Sequence, residues 1–320
     1  MTEKRPSFAA NAFSLLKQTF SEWLADKAPQ LGAALAYYTV FSLAPLILVL
    51  LAIIGLLFHN DPAGAWNKLT DQLSAFLDKG AVDMVRNIAQ KASQPSKGML
   101  ATIIGVLLAL FGASGVFGQL QDALNTVWGV KAKPGGGIWA FLRSRFLSFA
   151  MVGGVCFLLL VSLTLETVLK GFSHWVQGIF PGGIVLALIV YWVFDLAIVI
   201  LLFGMIFKYL PDAKIQWRDV WIGAALTSFL FSIGKIIIGM YLGSTGVTSP
   251  YGAAGSLITI LLWVYYSSLI FFLGAEFTQV YACEYGSGIV PAKHAEPITT
   301  ERATQNRKSP PPKERDGRVR

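Results

Sequence analysis

The stretch from Ser249 to Ala282 constrains the fold of this chain more than any other. It reads SPYGAAGSLITILLWVYYSSLIFFLGAEFTQVYA, a glycine-rich lead-in opening onto an apolar run with no charge before Glu276. A helix of ~20 such residues crosses a bilayer. Lipid offers nothing to satisfy bare peptide groups, so a spanning segment must be a helix or part of a closed barrel. A carboxylate at the centre of such a helix costs roughly 2.5–3.5 kcal/mol on insertion scales. Glu276 is therefore either a candidate functional group or a helix-end acid within reach of headgroups.

Five further apolar runs turn this into an all-α, polytopic membrane fold with six spans. They are Leu31–Phe58, Met99 to about Leu120, about Phe141 to Leu169, Ile184–Phe207 and Asp219–Leu242. The chain as a whole is 54% hydrophobic and 14% charged, where a soluble domain carries ~25% charged residues. Its charges cluster in the termini and the links. Phe8 to Lys27 places Phe13, Leu16, Phe20 and Leu24 on one helical stripe, which predicts an amphipathic helix in the interface over residues 1–30. No cleavable signal is visible, and the first span is expected to direct insertion. Residues 31–283 form the six-helix domain. Within it, residues 61–97 are too polar to span and predict a cap of two helices, one marked by Trp66, Leu69, Leu73, Phe76 and Leu77, the other by Val82, Val85 and Ile88. From residue 284 the chain is basic and proline-punctuated, with few apolar residues, and is expected to be a disordered tail.

Lys and Arg orient the bundle. The N-terminal segment, the 131–145 link, the 208–218 link and the tail hold four, four, three and eight, against five in the 61–97 cap. The positive-inside rule then places both termini in the cytoplasm and the cap outside.

Several positions stand out inside the membrane. Asp195 and Lys235 are ionisable residues in mid-span, and charges at that depth face a bundle interior, a cavity or one another. At 1.5 Å per residue they lie ~16 Å and ~10 Å from the outer face, an offset that a lysine stem covers. A pair between neighbouring spans is expected, either functional or fixing the packing. Pro45 removes the amide that would bond the Phe41 carbonyl, and predicts a break or a packing kink in the first span. Tyr37, Tyr38, Gly112, Gly115, Gln119, Asp122, Gly252 and Gly255 complete the candidate pathway and hinge positions. Gly239 and Gly243 form a GxxxG, a pattern that allows helices to approach closely.

Three stretches also resemble a known family: LGAALAYYTVFSLAPLILVL (31–50), GASGVFGQLQDALNTVWGV (112–130) and YGAAGSLITILLWVYYSSLIFFLGAEFTQVYA (251–282). Together with the region from Pro211–Asp212 to Tyr241–Gly243, they are similar to the YihY/BrkB bacterial inner-membrane proteins over most of residues 10–285. The resemblance implies a multi-pass protein of the bacterial inner membrane. Attached to that family are an old label as a ribonuclease of the BN type, a virulence or serum-resistance association, and transporter-like descriptions without an established substrate. The chain departs from many relatives at Ser268–Leu269, where they carry a glutamine.

The residues themselves argue against the ribonuclease label. The three histidines, His59, His174 and His294, are scattered along the chain with no HxHxDH-like cluster, and hydrolysis needs converging ligands or acid–base pairs. Gly234–Lys235 lacks the spacing of a phosphate-binding loop. Cys156 and Cys283 have no CxxC partner, so neither a disulfide framework nor a zinc site is expected. The expected protein is non-enzymatic and without metal, cofactor or nucleic acid. Its expected partner is the bilayer, with anionic lipid at the basic tail worth ~1 kcal/mol per basic residue. A transporter or flippase-like permease is one reading and a non-transporting envelope scaffold the other. The orientation is checked by cysteine labelling of intact cells in a cysteine-free background. Position 90 should react from outside and position 300 should not, and labelling at 300 reverses the topology.

Overall fold

A computed structural model describes residues 8–57, 60–73, 79–92, 115–133, 183–245 and 255–298. The second and third expected spans, Met99–Leu120 and Phe141–Leu169, lie mostly or wholly outside these residues. The described chain is helical, with α1 Phe8–Ala25, α2 Ala28–Leu57, α3 Pro62–Leu73 and α4 Lys79–Ala92. A helical stretch over residues 115–127 follows as α5. Then come α6 Gly183–Tyr209, α7 Trp217–Thr245 and α8 Gly255–Glu284. Among the described residues, α6, α7 and α8 hold apolar windows long enough to cross a membrane. Four short strands, β1 Val130–Ala132, β2 Ala213–Lys214, β3 Val290–Pro291 and β4 Ala295–Pro297, sit in the links and after α8.

The helix α8 is the axis of the bundle, with α1, α2, α4 and α7 all packed on it. Its contact with α7 is set by two glycines and two threonines. A Cβ on Gly223 would lie 2.6 Å from Thr278 Cβ, and a Cβ on Gly274 would lie 2.7 Å from Thr227 Cβ. Each threonine thus seats over the glycine of the opposite helix, in an antiparallel crossing that reads the same from both sides. Thr227 Oγ1 donates to the Gly223 carbonyl and Thr278 Oγ1 to the Gly274 carbonyl, both at 2.7 Å. The hydroxyl protons are satisfied within their own helices, and the helices meet through small, stiff surfaces. Gly234 continues the seam, where a Cβ would stand 3.2 Å from Tyr266 Cε1 and would collide with Ile270. Gly239, by contrast, has no described residue within 4 Å of a Cβ position, so that end of the expected GxxxG does not face α6 or α8.

At one end of the bundle, α3 and α4 form the two-helix cap. Asp61 precedes Pro62 and accepts the Gly64 amide at 2.8 Å, a side-chain N-cap with proline at the first helical position. Val85 and Ala89 pack on Ile47 of α2, and Ser256 Oγ lies 3.8 Å from Met84 Sδ at the start of α8. The backbone of α2 is helical straight through Pro45. Of the two readings at Pro45, a break or a packing kink, the chain shows no end to the helix there. The stripe Phe13, Leu16, Phe20 and Leu24 of α1 faces outward, each residue more than half exposed. The opposite edge of α1 meets the bundle, where Trp23 Nε1 donates to the Leu269 carbonyl at 3.3 Å. Leu269 also packs beside Gly32.

At the other end of α8 the chain does not dissolve into a tail. Tyr285 and Gly286 amides bond the Tyr281 carbonyl, and Gly288, at φ 74°, turns the chain back. Residues 285–298 then form a strap in which β3 pairs antiparallel with β2, and β4 with β1. The expectation of disorder from residue 284 is corrected over this stretch; residues 299–320 lie outside the described residues. Ile289 is buried in the same core as Trp128, Phe207 and Leu210, Ala295 is also buried, and that burial offsets the entropy of ordering the segment.

The α7–α8 seam makes a direct prediction for stability. Gly223→Ala and Gly274→Ala each add a Cβ where a β-branched side chain already stands, and overpacking of this kind costs ~1–3 kcal/mol. Gly239→Ala fills open space and should be neutral or stabilising, since glycine is ~1 kcal/mol worse than alanine inside a helix. Monodisperse protein remaining after heating in detergent separates the two groups.

Candidate functional site

The intramembrane pair forms because α6 and α7 are consecutive and tightly linked. Lys208, in the last turn of α6, donates to the Ile215 carbonyl across the turn, and its ammonium sits 5.7 Å from the centre of the Trp217 ring. Higher up, a Cβ on Gly204 would meet Ala224 at 3.8 Å, so the two helices lie close. This places Lys235 Nζ 4.0 Å from Asp195 Oδ2, with both side chains largely withdrawn from the surface. Opposite charges within spanning helices stabilise one another strongly, since loss of either strands its partner in a low dielectric. The pair is flanked by exposed Phe194, Leu196, Ile233 and Ile236.

Glu276 does not reach out to headgroups. It is 1% exposed, on the face of α8 that carries Phe272 and Val280 four residues to either side. It lies elsewhere in the bundle from Asp195 and Lys235, so the three acidic and basic candidates are one pair and one separate acid.

The other candidates scatter. Gly115 stands against α2, with Ser42 Oγ and Tyr38 Cδ1 at 3.6 and 3.8 Å from its Cβ position. Tyr37 and Tyr38 are exposed, their rings edge to face at 5.9 Å. Asp122 is exposed and Gln119 half-buried on α5. Gly255 opens α8 and is buried, its carbonyl accepting Thr259 Oγ1 at 3.2 Å. The backbone of Pro45 lies within α2, and Gly112 and Gly252 lie outside the described residues.

A second polar centre sits on the strand face. Asp212, 8% exposed, directly follows Pro211 in the α6–α7 link. Its Oδ1 accepts Gln121 Nε2 at 3.2 Å and lies 2.7 Å from His294 Nε2. Its Oδ2 accepts Asn125 Nδ2 at 3.0 Å, while its own amide donates to Asn125 Oδ1 at 2.7 Å. The Asp212 carbonyl accepts the Ala292 amide at 2.9 Å. One residue thus joins α5, the α6–α7 link and the strap. Nearby Asp219, 3% exposed in the first turn of α7, accepts both the amide and hydroxyl of Ser287, at 3.2 and 3.0 Å. A Cβ on Gly286 would lie 2.6 Å from the Asp219 carboxyl carbon, so glycine is required there.

None of this cluster is predicted by spacing. The polar run Gln119, Gln121, Asp122, Asn125 reads as a helix end, and His294 reads as part of a tail. The one available signal is helical phase, because Gln121 and Asn125 are four apart and share a face. Among the described residues no group of three or more His, Cys, Asp or Glu could hold a metal ion.

Comparison with known proteins places this architecture. A UPF0761 membrane protein of Tolumonas auensis is 26% identical over 259 residues, covering 79% of this chain and 80% of that protein. A UPF0761 membrane protein of Albidiferax ferrireducens is 28% identical over 271 residues, 81% of this chain but 59% of its own length. The chain thus spans about three-fifths of that longer relative. A ribonuclease-like protein of Bacillus subtilis, YfkH, is 25% identical over 270 residues, 82% of this chain and 93% of that one. No solved structure matches. The family model described as virulence factor BrkB matches residues 19–299, which takes in both the intramembrane pair and the strap, and the chain belongs to this BrkB family of membrane proteins.

Proposed function

We propose that this protein is a permease of the bacterial inner membrane, of transporter or flippase-like type, with both termini in the cytoplasm. The observation that carries the reading is the Asp195–Lys235 pair, 4.0 Å apart between two membrane-spanning helices. Ionisable residues are expensive at that depth, and where they persist they mark solute, ion or proton pathways more often than elsewhere in a chain. The buried Glu276 supports the same reading, because it adds a titratable group to the packed face of the central helix. Orientation follows the excess of Lys and Arg on the strand face and in the terminal segments.

The function is non-enzymatic in this reading. The name of the Bacillus relative points to ribonuclease chemistry, but His294 is engaged with a carboxylate that also receives Gln121 and Asn125. Those contacts occupy both oxygens of the Asp212 carboxylate in joining three segments of the chain. They describe a clasp between segments. The competing reading is an envelope scaffold in which Asp195 and Lys235 only fix helix packing.

One mutant set separates the two. Asp195→Asn alone and Lys235→Met alone each leave a charge without its partner and should lower the yield of folded protein severalfold. The double variant Asp195→Asn/Lys235→Met should restore the fold. Solute flux in reconstituted vesicles then decides, with flux lost in the folded double variant for a permease. Absence of flux in the parent protein across a solute and lipid panel favours the scaffold. Single variants that both match the parent in yield and flux remove the pair from either role.

A further inference from the structure

We propose that residues 285–298 are a releasable strap that closes the strand face of the bundle, with Asp212 as its latch. The gating half of this proposal rests on the permease reading above; the latching half rests only on its cytoplasmic placement of the termini.

The geometry is that of a fastening rather than a continuous wall. The strap touches three separate parts of the chain. Through β4 it pairs with β1, the link that follows α5, in the register Lys131 to Glu296. Through β3 it pairs with β2, in the α6–α7 link, in the register Lys214 to Val290. At its root it is held to the first turn of α7 by Ser287 on Asp219. The ladders are two and three residues long, too short to be stable alone, since even a full two-stranded hairpin is marginal in water. What makes the strap hold is the carboxylate at the junction of the two ladders. Asp212 offers two oxygens to donors on two other segments, Gln121 and Asn125 on α5 and His294 on the strap. Hydrogen bonds to an ionised acceptor are about twice as strong as neutral ones. They also act within a nearly buried site, where removing the acceptor leaves several donors unpaired at once.

The strap also covers an apolar floor. Ile289 is 2% exposed and packs in one cluster with Trp128, Val130, Phe207 and Leu210, residues at the ends of α5 and α6. Tying the ends of α5, α6, α7 and α8 together prevents these helices from separating at this face. A pathway through the bundle therefore opens here only after the strap has lifted. The salt bridge Lys131 to Glu296, at 3.4 Å and well exposed, adds little by comparison.

The carboxylate is tested by an isosteric change. In Asp212→Asn an amide nitrogen replaces one oxygen and meets either Asn125 Nδ2 or the Gln121 and His294 donors, so at least one bond becomes a clash of donors. Full-length protein in inside-out vesicles, with Cys156 and Cys283 replaced and Ile289→Cys introduced, is exposed to a membrane-impermeant maleimide. Protection is expected in this parent, with labelling rising about tenfold in Asp212→Asn and severalfold in the milder pair His294→Ala/Ser287→Ala. Monodispersity in detergent shows that the helices remain assembled in each variant. Labelling of the parent at the rate of detergent-unfolded protein, or unchanged protection in both monodisperse variants, overturns the latch. The gate is tested separately by a Lys131→Cys/Glu296→Cys disulfide, which ties β4 to β1. Oxidation should abolish solute flux and reductant should restore it. Undiminished flux in the oxidised protein overturns the gate, whereas absence of flux in the untied parent counts against the permease and leaves the maleimide result to decide the latch.

Discussion

The close approach of α7 to α8 at Gly223–Thr278 and Gly274–Thr227 is the contact on which the rest of the bundle depends. Between helices in lipid there is little hydrophobic drive, because the tails are as apolar as the side chains, and association relies on packing. A glycine facing a threonine whose hydroxyl is already bonded gives the shortest approach without exposing an unsatisfied polar group. Because the arrangement is reciprocal, a slide of either helix by one turn breaks both seats together and fixes the register. That register carries Gly234 onto Tyr266 and Ile270, which turns the adjacent Lys235 away from α8 and toward Asp195 on α6. The intramembrane ion pair is thus downstream of a van der Waals contact.

The strand face is organised by a different force. Asp212 and Asp219 are acids seated at the ends of helices and links, where backbone amides, amide side chains, a serine and a histidine converge on them. Buried carboxylates are tolerated only when nearly every lone pair is used. The aromatic floor beneath them, with Phe207 and Phe271 at 5.2 Å and Trp128 edge-on to Phe207 at 6.2 Å, lowers the local dielectric and strengthens those bonds. The cap end instead relies on amphipathic helices, with Asp61 capping α3 and Ile47 receiving Val85 and Ala89.

Much of the helical architecture is legible in the sequence because membrane spans and amphipathic helices are written in local periodicity. The windows of α6, α7 and α8, the two cap helices and the outward stripe of α1 all follow from it, as does the meeting of Asp195 with Lys235, since consecutive spans joined by a short link are neighbours. Features that depend on residues far apart are not legible in this way. Gln121, Asn125, Asp212 and His294 come from three segments and share no motif. The strap reads as a tail because it runs on into the charged, proline-punctuated residues after 298, and its order comes from strand partners more than seventy positions upstream. The close α7–α8 contact carries no such motif: Gly223 and Gly274 lie in different helices and are matched by facing threonines. At Pro45 the missing amide does not end α2, which runs on as helix to Leu57.

The strap has a consequence for the order in which the molecule is completed. Synthesis runs from the N-terminus, so β1 and β2 leave the ribosome well before β3 and β4 exist to pair with them. Until residue 294 emerges, Asp212 lacks its histidine, and the floor around Trp128 and Phe207 stands open. Every earlier helix can already be inserted at that stage. Among the described elements the strap therefore closes last, and it can do so only over links that lie on its own side of the membrane at the register the two ladders set.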